Sequence, residues 1–528
     1  MVWRESGSAR LYFLFGWGTV RMWLSRWRSA VSLVLAFSLC PADVAWATEE
    51  ALTREVGGLT FDQFVQMALR DYGVPGATVV IANANETVFL KGYGIRSSDA
   101  AGAVDENTRF QLASMSKFIA ATAVGALVDR GVVTWDAPVR TFSPDTALAV
   151  PYATENATLR DYFAYRSGLP AYGGDLLQRL GYDTDELVRR ARFLPFDHSF
   201  RAESAYSNYG IFLGQEAAAH AAGVTPPALL AAEVFRPLGM ARSGPTQAEL
   251  LKDDNRAAAH NLNGSVMPYE NVDAFSGAGA VVSTGADFAR WMRMLLAKGA
   301  FEGRRVLAEA TVTQIFAASM VQGVGGPLQD PNYSAGLGCE SYHFLRYRVI
   351  EKNGALDGVR TIVTLVPERG IGIAVFANKQ LTVFPEAVRA AFLERELGPS
   401  GRDLQAQIRR EQAAWNALLA KPKPPTSGAP LTRDLDAFTG RYASPLYGAL
   451  AVVRDGTKLD VAVGPHAYPG HLAHWSGDTF LLLFDDPDDA PGLLTFDFDG
   501  SVAAAREING SKVPGTHMTD YGRFVRSQ

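Results

Sequence analysis

Residues 110–122 read FQLASMSKFIAAT, a short apolar run carrying two serines and then Lys117, just ahead of a segment with almost no polar side chains. From Ser114 to Arg130 the sequence is apolar nearly all round and stops at Arg130 and Gly131, the pattern of a helix buried at the centre of a domain. A lysine entering such a helix finds little surface along which to snorkel to water. Residues three apart share a helical face, so Ser114 stands beside Lys117 while Ser116 points elsewhere. A hydroxyl at the N-terminal end of the helix feels the positive end of the macrodipole, and its own backbone N–H can help to hold an oxyanion. Burial and a second cation both lower an amine's pKa, which would let Lys117 take the proton of Ser114. Taken alone, Ser114 is equally readable as a helix cap.

Two further stretches supply the partners that this chemistry needs. ESAYSNYGIFLG contains Tyr206-Ser207-Asn208, and Tyr206 offers a phenol able to relay a proton between Ser114 and a leaving group if two ammonium groups stabilise its phenolate. RVIEKNGALDGVR contains Lys352-Asn353-Gly354, with Lys352 at the end of a predicted strand and Gly354 letting the backbone approach a bound substrate along the strand edge. Tyr209 competes with Tyr206 as a packing tyrosine. Arg360 reads as a surface strand residue within reach of a substrate carboxylate.

S-x-x-K, Y-x-N and K-x-G in this order resemble the serine β-lactamase and penicillin-binding-protein superfamily. The tyrosine in the second element resembles its class C-like branch, which includes D-aminopeptidases and family VIII esterases. The resemblance covers about 60–390, with flanking text such as LRDYFAYRSGLP, GAVVSTGADFARWM and YSAGLG. It implies Ser114 as the acylated nucleophile, Lys117 as its proton acceptor and Tyr206 as general acid/base. Asn208 would orient a substrate amide, Lys352 would supply positive charge, and the N–H groups of Ser114 and Ala355 would form an oxyanion hole. Asn353 departs from the pattern, because the β-lactamases usually have Thr there to help hold a substrate carboxylate.

The rest of the chain frames that site. Strands first (ATVVIANA, TVFLKGYG), helices and long loops over about 135–345, then strands again (RYRVIEK, VRTIVTLVP, RGIGIAVFAN) predict an α+β domain whose antiparallel sheet comes from both ends, with a helical lobe inserted. The helix FPEAVRAAFLEREL closes that unit, a second helix covers roughly 402–419, and KPKPPTSGAP reads as a linker. Beyond it, Asp455-Gly456, Asp499-Gly500 and Asn509-Gly510 read as hairpin turns of a small all-β domain. The expected division is 1–47 signal peptide, 48–400 catalytic domain, 401–430 helix and linker, and 431–528 β domain.

With 528 residues and a formal net charge of −5, the chain has no basic block suited to nucleic acid. Arg26 and Arg28, the apolar SAVSLVLAFSL and Ala45-Trp46-Ala47 read as an export signal, with translation starting at Met22 in the favoured reading; Pro41 and Asp43 break the run before a stable membrane span. Removing it leaves Cys339 alone, so no intrachain disulfide is expected. The histidines His466, His471 and His474 lack metal-site spacing, and neither metal nor cofactor is expected. The resulting expectation is an exported, periplasmic or secreted serine hydrolase acting through an acyl-enzyme on a small ester, peptide or β-lactam-like substrate. The alternatives are a β-lactamase or D-Ala-D-Ala carboxypeptidase, and a non-catalytic sensor of cell-wall peptides or β-lactams.

Overall fold

The computed structural model describes residues 58–418, 428–486, 491–499, 505–512 and 522–527. The expected signal peptide and most of the proline-rich stretch lie outside the described residues. The first described helix is α1 (Phe61–Asp71), opened by a reciprocal capping box between Thr60 and Gln63. A hairpin follows, β1 (Gly76–Asn83) and β2 (Thr87–Gly94). The middle of the chain is mostly helix and loop and includes α2 (Ser116–Asp129) and α3 (Asn208–Ala221). Strands return as β3 (Met320–Gly325), β4 (Asp330–Ala335), β5 (Glu340–Phe344), β6 (Tyr347–Leu356), β7 (Val359–Val366) and β8 (Ile371–Ala377), and α4 (Phe384–Leu397) comes next.

These strands form one eight-stranded sheet in the order β2-β1-β8-β7-β6-β5-β4-β3. The early strand β1 pairs antiparallel with the late strand β8, from Ala77 opposite Ala377 to Asn83 opposite Ile371. The sheet is therefore built from both ends of the domain, as expected. β1, β7 and β8 are buried along their whole length, which explains why they read as continuous apolar runs. Alternate residues serve two cores: Val79, Ile81, Ile373 and Val375 pack with Phe61, Val388 and Phe392 of α1 and α4, whereas Val80, Ala374 and Phe376 pack with Phe118 of α2.

The helix expected to lead into the linker, α5 (Leu404–Leu418), instead folds back on this domain. Leu404 and Ile408 join the α4 core, and Gln412 bonds to the backbone of Leu381 and Val383. An apolar stripe on an otherwise polar helix needs a surface to cover, and the back of the sheet provides it.

The C-terminal strands β9 (Gly440–Ser444), β10 (Gly448–Asp455), β11 (Lys458–Val463), β12 (Tyr468–Ser476), β13 (Thr479–Phe484), β14 (Gly492–Asp497), β15 (Glu507–Lys512) and β16 (Gly522–Arg526) form a closed barrel, sealed by β16 pairing with β9. Phe438, Tyr442, Phe480 and Phe496 meet edge to face inside it. Asp455-Gly456 does mark the β10–β11 turn, but Asn509-Gly510 lies inside β15, paired with Thr495 and Leu494. Barrel closure supplies both neighbours of that strand and overrides the dipeptide's local preference. Gly500 lies outside the described residues.

The barrel and the catalytic region belong to one compact unit. Arg190 donates to the carbonyls of Pro445 at 2.8 Å and Leu446 at 2.6 Å while stacking over Tyr182 at 3.8 Å. The Tyr182 hydroxyl in turn donates to Tyr447 O at 3.2 Å. Among the described residues, no helix is long and apolar enough to cross a membrane.

Candidate active site

The helix expected from Ser114 starts later: Ala113–Met115 form a 3-10 turn, and α2 begins at Ser116. Ala113 holds a φ of +51°, a left-handed conformation that is strained for a residue with a Cβ. What holds it is Ser116, whose hydroxyl donates to Ala113 O at 2.6 Å and accepts from Val281 N–H at 3.1 Å. The serine that faces away from Ser114 thus staples the Ser114 turn to the segment that follows residue 276.

Strand β6 presses on the same turn. A Cβ at Gly354 would meet Leu112 O and Thr361 Oγ1 at 2.5 Å and Ala113 Cβ at 3.0 Å. The space vacated at Gly354 is therefore filled by protein backbone, where the sequence reading assigned it to substrate.

Around this turn the polar groups converge. Ser114 Oγ lies 3.0 Å from Lys117 Nζ and accepts from the Tyr206 hydroxyl at 2.8 Å. Lys117 is 0% exposed, and its amine also donates to Ala278 O at 2.6 Å. Burial, reinforced by the charge of Lys352, pulls the Lys117 pKa well below the ordinary lysine value, against the opposing pull of Asp175 and Glu340. An amine so placed is available in its neutral form.

Lys352 is 1% exposed and lies within β6 rather than at a strand end, paired at 2.7 Å with Glu340 of β5. Its register opposite Val363 turns it to the α2 side of the sheet. The amines of Lys117 and Lys352 each sit 5.0 Å from the centre of the Tyr206 ring. Burial, with Tyr172, Glu340 and Asp175 adding to it, raises the Tyr206 phenol well above its usual pKa against the opposing Ser114 hydrogen bond. Tyr206 is wedged between Tyr165 and Tyr172, at 5.0 and 5.4 Å between ring centres, and Tyr209 is the packing tyrosine, with its hydroxyl donating to Leu187 O.

Asn208 opens α3, where Ser207 caps the helix by accepting from Gly210 N–H at 2.9 Å. The Asn208 side-chain amide donates to Asp175 at 2.6 Å. Burial pushes the Asp175 carboxyl up to about 7, and its second oxygen has no hydrogen-bond partner among the described residues. On β6, Leu356 faces Val359 across a two-residue turn, so strand alternation turns the N–H of Ala355 away from β7. It faces the open side of β6, beyond the last β5 pair, Glu340 with Glu351.

Three side chains at the site were missed by sequence reasoning: Ser116, Asp175 and Glu340. Asp175 ends the Gly- and Tyr-rich run YRSGLPAYGGD, and Glu340 stands in the strand that hairpin pairing brings beside Lys352. Arg360 requires correction: it is 6% exposed, on the sheet face opposite Lys352, paired with Glu386 and lying 4.9 Å from the ring of Trp415. Among the described residues no cluster of His, Cys, Asp and Glu could hold a metal. His471 and His474 lie in β12, and His466 packs against Gly181 of the catalytic domain.

A hydroxyl held between an amine that can take a proton and a phenol that can give one, near the outward-turned N–H of Ala355, is equipped for nucleophilic acyl transfer. Fold and site together define a serine hydrolase. The Beta-lactamase family model matches residues 61–396, and the chain belongs to that family. A second model, Domain of unknown function (DUF3471), matches residues 424–509. The chain is 25% identical to the unguisins hydrolase ungD' of Aspergillus campestris over 434 residues, 75% of this chain and 77% of that one. It is also 25% identical to the D-alanyl-D-alanine-carboxypeptidase/endopeptidase AmpH of Escherichia coli over 362 residues, 66% of this chain and 91% of that one. In fold it is similar to the octameric penicillin-binding protein homologue from Pyrococcus abyssi, with a TM-score of 0.57, 17% identity, and coverage of 88% of this chain and 99% of that one.

Proposed function

We propose that this protein is an exported serine acyl-hydrolase that cleaves an ester or an amide of D-amino-acid peptide type through an acyl-enzyme on Ser114. The observation that carries this reading is the placement of Ser114 Oγ 3.0 Å from a fully buried lysine amine and 2.8 Å from the Tyr206 phenol oxygen. The neutral Lys117 amine takes the Ser114 proton as Oγ bonds to the substrate carbonyl carbon. The N–H groups of Ser114 and Ala355 stabilise the resulting oxyanion. As the intermediate collapses, Tyr206 gives its proton to the leaving group, and its phenolate then stands beside the ammonium now on Lys117. Water then adds to the acyl carbon as the Tyr206 phenolate takes one of its protons, and collapse of that intermediate releases the acid while Lys117 returns its proton to Ser114 Oγ. Lys352, held by Glu340, adds positive charge, and Asn208, held by Asp175, presents its amide to the substrate. Asn353 is exposed on the face opposite Lys352, and with no Thr at that position a carboxylate-bearing β-lactam is the less favoured substrate.

A fluorophosphonate probe tests this reading. Wild type should label covalently and hydrolyse 4-nitrophenyl acetate, whereas Ser114→Ala should lose labelling and about 10⁴-fold or more in turnover. Wild type that neither labels nor turns over would favour the sensor alternative.

A further inference from the structure

Resting on that reading, we propose that Asp175 is a positioning residue for substrate choice: it holds Asn208 by the nitrogen of its amide and leaves the amide oxygen to accept an N–H of the substrate. The class this selects is an N-acylated amino acid or peptide, with an N–H flanking the scissile carbonyl, over a plain ester.

The glycines of YGGD bring the two residues together. The N–H of Tyr172 donates to Tyr206 O at 3.0 Å, which docks this segment on the residues leading into α3. Gly174 holds a φ of +83°, and a Cβ there would meet the Tyr209 ring at 2.8 Å. The backbone therefore passes close against α3 and delivers Asp175 to Asn208, whose Nδ2 donates to Oδ2 of Asp175 at 2.6 Å. An ionised carboxylate has no hydrogen to give, so it can hold the amide only by its nitrogen. The Asn208 oxygen has no hydrogen-bond partner among the described residues and, on a half-buried side chain, is not among the buried unpaired atoms. The charge of Asp175 acts on both Lys117 and Tyr206, which places the pair beside the reacting centre. A substrate N–H satisfies the free oxygen, whereas an ester oxygen at the same place sets lone pair against lone pair.

This hold depends on the charge of Asp175. Burial raises its carboxyl to about 7; the Asn208 hydrogen bond, Lys117 and Arg179 oppose the rise and Glu270 adds to it, with Tyr172 and Tyr206 also facing the group. Above that value the carboxylate fixes the amide. Below it the acid donates as well as accepts, and either end of the amide satisfies it.

Two esters that differ at one position test the inference in the full chain: N-acetyl-D-alanine 4-nitrophenyl ester and 4-nitrophenyl (R)-2-acetoxypropanoate, in which oxygen replaces the N–H. The readout is the ratio of their kcat/KM values, because a change in the Lys117 base alters both alike and cancels. At about pH 8 the wild-type ratio should exceed that of Asn208→Ala by about fivefold, the worth of one partly exposed hydrogen bond. Asp175→Asn, whose own amide can donate, should lose most of that excess. Lowering the pH to about 5.5 should shrink the wild-type ratio and leave that of Asp175→Asn in place, an arm that a merely structural role for Asp175 does not move. A ratio equal in wild type and Asn208→Ala, one undiminished in Asp175→Asn, or a wild-type ratio indifferent to pH overturns the inference. Wild type inert on both esters, or hydrolysis that survives in Ser114→Ala, would instead overturn the underlying hydrolase reading.

Discussion

The catalytic domain and the barrel bury very different things. The catalytic domain encloses Lys117, Lys352 and Glu340 on the Ser114 side of its sheet and Arg360, Arg389 and Glu386 on the other, whereas Ser444 is the one buried residue of polar type among the described residues of the barrel. Enclosing charge is unfavourable unless partners compensate, and Lys117 is bonded to a serine hydroxyl and a backbone carbonyl, neither of them a counter-ion. The barrel core is aromatic and aliphatic and holds no comparable chemistry. The contrast separates two interiors: the sheet domain encloses a strained, charged site, and the barrel encloses an apolar core of its own.

That division can be tested by attacking each side in turn. The largest effect belongs to Lys117→Met, which removes the base while keeping an unbranched side chain; turnover of 4-nitrophenyl acetate should fall about a thousandfold or more with the protein still folded. Retained activity would mean that burial of the amine serves structure alone. In the barrel, Phe438→Ala should lower unfolding stability by about 3–5 kcal/mol in a denaturant titration, while fluorophosphonate labelling of Ser114 at low temperature is retained. Labelling lost in step with stability would show that the two regions do not separate.

Gly354→Ala falls between these cases, because its new methyl meets the carbonyl of Leu112 and the Ala113 methyl. It should cost about 1–3 kcal/mol in thermal unfolding and also depress kcat, since relief of the clash displaces the Ser114 turn. The smallest effect is a shift in pH dependence. Wild-type kcat/KM should rise with pH through the depressed Lys117 pKa, with no alkaline loss from Tyr206 below about pH 10, because the phenol stays protonated. The Asp175 carboxylate favours the ammonium form of Lys117, so Asp175→Asn should move the acid limb to lower pH. An acid limb that moves upward or stays in place would remove Asp175 from the electrostatics of the base.

Much of this was legible before any coordinates. The three-residue spacing of Ser114 and Lys117 and the order of strands and helices are local or periodic features, and they carried over into the fold. Arg360 was misread because a strand residue's environment depends on which element covers that face, and α5 was read as a helix leading into a linker, with no sign that it covers the sheet. Glu340 escaped notice because its partnership with Lys352 is a matter of hairpin register, and Asp175 because nothing in YGGD says that it will be enclosed. The turn assigned to Asn509-Gly510 failed for the related reason that barrel closure is a long-range pairing.

The amino-acid sequence by itself determined the presence of a buried helix, the strand segments and the order in which hydroxyl, amine and phenol arrive, because these rest on periodicity and nearest-neighbour spacing. Tertiary structure alone decided that Lys117 is dry, that burial raises the Tyr206 phenol above its usual pKa, and that the barrel packs on the catalytic domain through Arg190 and Tyr182. Desolvation and charge proximity are summed over everything that surrounds a group, and those surroundings come from residues up to hundreds of positions away.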